Sequence, residues 1–413
     1  MVLPLFLIIL ACAAAAVFGY GTHPGWAWYP WGTHFILGVY RWQYLIAAAA
    51  IVPAIALIAL VVAGRVRIWW LLGLAPVVAL LAHRAAVAQP DVVGVDVQAY
   101  VERDKATLPD TDWVVGIRFN GKVYAFPYAA LYEAPVIVHS DRGVKMILIW
   151  SPLADRAAAF ALRSEVYSRD LRIVSTPANA TLLYNDRRGE FINGMTGRTP
   201  AGAVPSGLST PLPAWKMTWG QWKQIHPTTL LFRGPAWLKG GGPPAPLQAT
   251  LPLPKNAPTD GAGRRVALVS ATQPAVVPAD SIVASPVNFW VGKVPVVLFR
   301  DPATGRAMAF DRNIEPDRPA RFRLNPDPAG RRKGYLIDAD SNTTWDTEGK
   351  AIEGEYARKG RHLAPVAVDD NLQWGLLHVW APKLAIEQVT PEPPPAPPPP
   401  PPPPPRAPGR RAR

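Results

Sequence analysis

The chain of 413 residues carries 43 Lys and Arg against 30 Asp and Glu, a formal charge of +13, with 48 prolines, 16 tryptophans and one cysteine. A lone cysteine excludes a disulfide framework and any thiol pair. Four arginines precede residue 90 and a net +3 follows Thr390, which leaves +6 between them. That middle part has no basic stripe interleaved with aromatics, so nucleic acid is not an expected partner.

Three apolar runs open the chain, Val2 to Phe18, Leu45 to Gly64 and Ile68 to Leu81, and the first acidic residue is Asp91. At ~1.5 Å per residue the middle run covers ~30 Å, enough to cross a bilayer. The other two are shorter and cross with little tilt or with help from flanking aromatics. Trp26, Trp28, Trp31, Trp42, Trp69 and Trp70 sit at the edges of the runs, where indole rings favour the headgroup layer. The pattern predicts an anchor of three transmembrane helices over residues 1–88. A cleaved signal peptide is the rival reading of the first run, but it lacks a basic start and two more runs follow. Cys12 reads as a buried membrane cysteine; Leu10 fits a lipoprotein acylation site poorly. Arg65 and Arg67 put the loop between the second and third helices in the cytoplasm. Everything after about Val87 is then extracytoplasmic, on the periplasmic side, although His83 and Arg84 argue the other way.

From residue 89 to 233 the pattern is mostly strand. Val114 to Phe119, a turn at Asn120-Gly121, then Lys122 to Phe126 is a β-hairpin signal, since Asn-Gly readily takes the positive φ of a tight turn. Met146 to Trp150 reads as a buried strand leading into a turn at Pro152, and Leu171 to Ser175 as a further strand. Trp219 to Ile225 reads as a short helix ended by Pro227. Residues 234–264 are rich in Pro and Gly and predict a linker.

The stretch 265–389 repeats the first, much altered. Ser151-Pro-Leu-Ala-Asp-Arg156-Ala-Ala-Ala-Phe160 answers to Asp301-Pro-Ala-Thr-Gly-Arg306-Ala-Met-Ala-Phe310. Asp186, Gly197 and Gly202 answer to Asp338, Gly349 and Gly354 at one offset, and Trp219, Gly220 and Pro227 to Trp374, Gly375 and Pro382 at another. Convergent hairpin chemistry is the plainer alternative; internal repetition accounts for more of the matches. The expected fold is thus membrane-anchored, β-rich α+β, with two tandem homologous subdomains, each large enough for its own core. Residues 390–413, nearly pure proline closed by arginines, predict an extended polyproline II tail acting as spacer, partner ligand or cell-wall contact. Arg331-Arg332-Lys333 reads as a solvated loop or a contact for phosphate or anionic lipid.

Gly121 to Pro127, the stretch Ser151 to Phe160, Asn179 to Tyr184 and Trp219-Gly-Gln-Trp222-Lys-Gln-Ile-His226-Pro227 resemble domain-of-unknown-function family 3179. Leu336 to Asp338, Thr344 to Asp346, Gly349 to Gly354 and the Trp374 block are similar to the same family's later segment. Many members carry Cys-Pro-x-Cys where this chain has Ser151-Pro-Leu-Ala154. The resemblance therefore implies an origin in thiol redox chemistry whose two sulfurs are lost here.

Zinc-type spacings, a phosphate-cradling Gly-rich loop and Gly-x-Ser-x-Gly are absent, so neither metal nor cofactor is expected. The candidate site residues are Ser151, Asp155, Arg156, Asn179 and His226, with His139 upstream. Each also has a structural reading: Ser151 bonded to backbone, Arg156 and Arg306 in ion pairs, His226 at a helix end, and Trp215, Trp219 and Trp222 in the core. Two functions of different class follow. The preferred one is a non-catalytic binding or scaffold protein of the cell envelope, integral to the membrane and holding its folded part away from the bilayer. The alternative is a hydrolase or transferase using Ser151, His226 and Asp155, which needs serine and histidine within hydrogen-bond reach.

Overall fold

The computed structural model describes residues 2–87, 89–235, 255, 261, 263–315, 319–326 and 333–387. Most of the expected linker, the proline tail, Arg331 and Arg332 lie outside the described residues.

The apolar runs fold as expected. Helices Val2–Tyr20 and Gln43–Val62, and a helical segment from Ile68 to Ala86 that begins as a 3-10 stretch, are each long and apolar enough to cross a membrane. They meet through Ala11, Ala15, Ala50 and Leu57, all fully buried. Small side chains at such contacts let backbones approach closely. Leu5, Phe6, Ile9, Val52 and Ile55 point outward and are exposed, as a lipid-facing surface requires.

Between the first two helices the chain forms a 3-10 turn, Pro24–Trp28, and a short helix, Gly32–Arg41. That helix is amphipathic, and its apolar stripe does not face the anchor. Ile36 and Tyr40 pack against Val174 and Leu182 of the folded body. Ala27 joins a cluster with Ala178, Ala180 and Met195, and the Ser175 hydroxyl donates to the Thr22 carbonyl at 2.6 Å. The expectation of a body held away from the bilayer is therefore corrected, because the loop leaving the first helix is part of the body's own packing. The third helix also ends at the body, so the turn carrying Arg65 and Arg67 lies at the opposite end of the bundle.

The predicted hairpin is present as Trp113–Phe119 and Lys122–Pro127, joined through Asn120 and Gly121 at φ 50° and 72°. Val114 pairs with Pro127 and Phe119 with Lys122. Ala214–Thr218 adds to the free side of the first hairpin strand and leads into the helix Trp219–Ile225. A second sheet holds the meander Val136–Asp141, Val144–Ser151 and Arg156–Leu162. A three-stranded sheet built on Leu171–Ser175 completes this half.

After residue 263 the same order returns. Hairpin Arg265–Ser270 and Pro274–Pro278 takes Ala367–Gln373 on its first strand, which leads into the helix Trp374–Trp380. The meander is Val287–Val291, Val294–Arg300 and Ala307–Asp311. A glycine contact is shared too. Gly197 and Gly349 both have positive φ, and a Cβ would overlap the ring of Phe160 in the first case and Phe310 in the second.

Each half has a cluster of its own, around Ile117, Phe126 and Leu148 in the first and around Val269, Val277 and Leu298 in the second, and a further cluster is shared between them. The cluster around Val114, Trp215, Trp219 and Trp222 continues directly into Val297, Phe299, Phe310 and Trp345. Every large side chain named there is at most 7% exposed. Burial of apolar surface, at about 25 cal/mol per Å² removed from water, holds the halves together across this shared cluster.

Candidate functional site at the junction of the halves

The site begins with a chain reversal. Strand Val144–Ser151 is buried along all but its first residue, Pro152 starts a 3-10 turn, and Asp155 takes φ +48°, a left-handed conformation that Asp tolerates better than most residues. Arg156 then pairs back onto Ser151.

Ser151 is fully buried, and its Oγ accepts the Thr181 backbone N–H at 3.0 Å. Thr181 Oγ1 donates to the Trp150 carbonyl at 2.8 Å. These two bonds fasten neighbouring sheets, in keeping with the structural reading of Ser151. Asn179 lies beside the turn, 2% exposed, at φ +62°, after Ala178 at φ +46°. Two successive left-handed residues with side chains cost of order 1–2 kcal/mol each. Ala178 is held there by packing against Ala27 and by the Trp380 indole, which donates to its carbonyl at 3.5 Å.

The opposite side of the turn opens into a cleft of about 390 Å³ between the halves. Asp155 accepts from the Tyr128 hydroxyl at 3.1 Å and forms an ion pair with Lys216. Burial, reinforced by the Asp155 charge, pushes the Tyr128 phenol far up, so it stays a donor at any ordinary pH. Arg156, 6% exposed, donates to Asp369 at 2.6 Å, and Arg300 pairs with Asp370 at 2.6 Å. Arg306 comes from the matching turn of the second half. It pairs with Glu348, donates to Thr304 Oγ1 at 3.1 Å and lies 5.1 Å from the Trp215 ring centre.

The histidines are elsewhere. His226 ends its helix as expected, with its N–H on the Trp222 carbonyl at 2.9 Å and its ring 4.2 Å from the Trp222 ring. Burial pulls its pKa down to about 4, against the opposing pull of Glu348. His139 is fully buried, with Nε2 3.2 Å from the Tyr124 hydroxyl, and burial lowers it to about 4 as well. Among the described residues no hydrogen bond or ring contact joins either histidine to Ser151. Asp155 is engaged by Tyr128 and Lys216 rather than by a histidine. The six candidates thus divide: Asp155 and Arg156 reach the junction, Ser151 and Asn179 lie behind the turn, and the two histidines are core groups.

Tyr128, Lys216, Asp369, Asp370 and Trp113 line the cleft without having been singled out in the sequence. Lys216 is the one charged side chain in the strand Ala214–Thr218, and Asp369-Asp370 is an acidic pair inside a strand. Charges at such positions were the available signal. Among the described residues no three His, Cys, Asp or Glu side chains gather as metal ligands would.

Helices fit to span a membrane and a β-rich body with a polar junctional cleft define a membrane-anchored, β-rich class of protein. The chain belongs to the family described as "Protein of unknown function (DUF3179)", which it matches over residues 86–374. No curated protein and no solved structure matches it.

Proposed function

We propose that this is a membrane-anchored, non-catalytic binding protein of the cell envelope, with its body on the periplasmic side and a small polar ligand held in the cleft between its halves. The observation that carries the reading is the meeting of Asp155 with Thr304, Gly305 and Arg306, from matching turns of the two halves, around one opening. Clefts between related units are a common place for ligands. The repeated strand order and the shared glycine contact support descent of the halves from one duplicated unit. Ser151 and Ala154 at the turn leave no thiol there, and the Ser151 hydroxyl is held by the Thr181 N–H, which supports a non-catalytic role for this turn. Arg65 and Arg67, at the end of the bundle away from the body, support the orientation.

A thermal-shift screen of small polar compounds of both charge signs, on the full chain in detergent, tests the binding reading. The expected result is a stabilising compound whose effect is lost in Lys216→Ala and retained in a Ser151→Ala/His226→Gln double variant. A screen without any stabilising compound sinks the reading, and so does loss of the effect in the double variant alone. Reporter fusions after Gly64 and after Glu387 test the orientation: the first should report the cytoplasm and the second the periplasmic side, and the reverse would overturn it.

A further inference from the structure

Each charged group that lines the cleft has an opposite charge beside it, while Nη1 of Arg156 and Nη1 of Arg306 are buried without a hydrogen-bond partner among the described residues. Lys216 pairs with Asp155, Arg156 with Asp369, Arg300 with Asp370, Arg306 with Glu348 and Asp301, and Arg118 with Glu348 at 2.9 Å. Asp155, Asp369, Asp370, Lys216 and Arg306 line the cleft itself, and together with their partners just outside it five bases meet five acids, a formally neutral set. A ligand with net charge would have to displace one partner and leave the other alone. For Arg156 and Arg306, each 6% exposed, that means an uncompensated charge inside the protein. A hydroxyl group escapes this penalty. It donates to a carboxylate and accepts from an ammonium or guanidinium at once, and so bridges an ion pair without breaking it.

The walls add a second constraint. Trp113, 48% exposed, stands at the cleft with Lys216 4.9 Å from its ring centre, and Tyr128 and Trp215 line the interior. A ligand seated here meets both a ring face and a row of paired charges. It therefore needs an apolar C–H face beside a polar edge. Resting on the binding reading above, we propose that the cleft takes a neutral polyhydroxylated ligand, a saccharide of one or two rings. The cleft volume, about 390 Å³, falls within the span of small-molecule sites.

The test uses the full chain in a detergent without a sugar headgroup, titrated with glucose, N-acetylglucosamine and maltose as neutral probes. Glucuronate, glucosamine and the zwitterion glycine are the charged ones. Tryptophan fluorescence and calorimetry should show saturable binding of at least one neutral sugar. Its affinity should change by no more than about twofold between low and high salt, because no net charge is exchanged. Trp113→Ala should weaken it by about tenfold or more, with Trp113→Phe recovering part of the loss. Trp113 is half exposed, so its replacement leaves the fold intact. Binding of a charged or zwitterionic probe alone, with Lys216→Ala abolishing it, overturns the neutral saccharide and keeps the binding site. Binding of none of the six overturns the saccharide, and a Lys216-dependent hit in the wider screen would still uphold the site.

Discussion

His139 and His226 sit among aromatic rings, and burial holds both pKa values near 4 in the folded chain. Unfolded, each would titrate near its ordinary 6.5. The stability they confer is complete above about pH 6.5, where both states are neutral, and is lost as pH falls toward 4, because the unfolded chain takes up protons first. Each histidine can account for up to about 3 kcal/mol over that window. Urea unfolding of the detergent-solubilised protein at steps between pH 7 and 4.5 should show the decline, and His139→Phe should flatten part of it. A profile unchanged by that variant would place the sensitivity elsewhere. Arg156 invites a second experiment. Its pair with Asp369 is largely buried and joins the two halves, so Arg156→Leu should destabilise by about 3 kcal/mol, more than Arg156→Leu with Asp369→Leu. Arg156 and Arg306 were legible as ion-pair residues because they recur at matching places. Their partners were not, since Asp369 is 213 residues from Arg156 and no local pattern links them. Ser151 shows the same limit: its turn is written in Pro152, whereas its partner Thr181 is supplied by packing.

At the scale of elements, local chemistry carried far. Asn120-Gly121 gave the hairpin, Trp219-Gly220 and Trp374-Gly375 opened helices that end just before Pro227 and Pro382, and strands precede Pro152 and Pro302. Such signals depend on near neighbours alone. The shared cluster was hidden because buried strands look alike whichever half they face. Gly197 and Gly349 hold equivalent left-handed positions beneath equivalent phenylalanines. Gly197→Ala and Gly349→Ala should each cost about 3 kcal/mol, left-handed strain and crowding combined. Gly305 also has positive φ but open space at its Cβ, so Gly305→Ala should cost about 1 kcal/mol. Urea midpoints for the three variants decide this, and equal losses would show that crowding adds nothing.

For the whole molecule, the three apolar helices were evident from the absence of acid before Asp91, but the path of the loop between the first two was not. Gly32–Arg41 is too short and too polar to span a membrane, and nothing in its own sequence names the surface it covers. That surface includes Val174, Leu182, Ala178 and Ala180, all at most 5% exposed while the loop is in place. Trimming the chain at residue 89 to obtain a soluble fragment would strip this cover and leave a greasy facet open to water. The fragment should self-associate during gel filtration and bind a hydrophobic dye, whereas the intact chain in detergent stays dispersed. Grafting residues 21–42 back onto the fragment through a flexible tether should restore its solubility, because that short stretch roofs the facet as well as joining two helices.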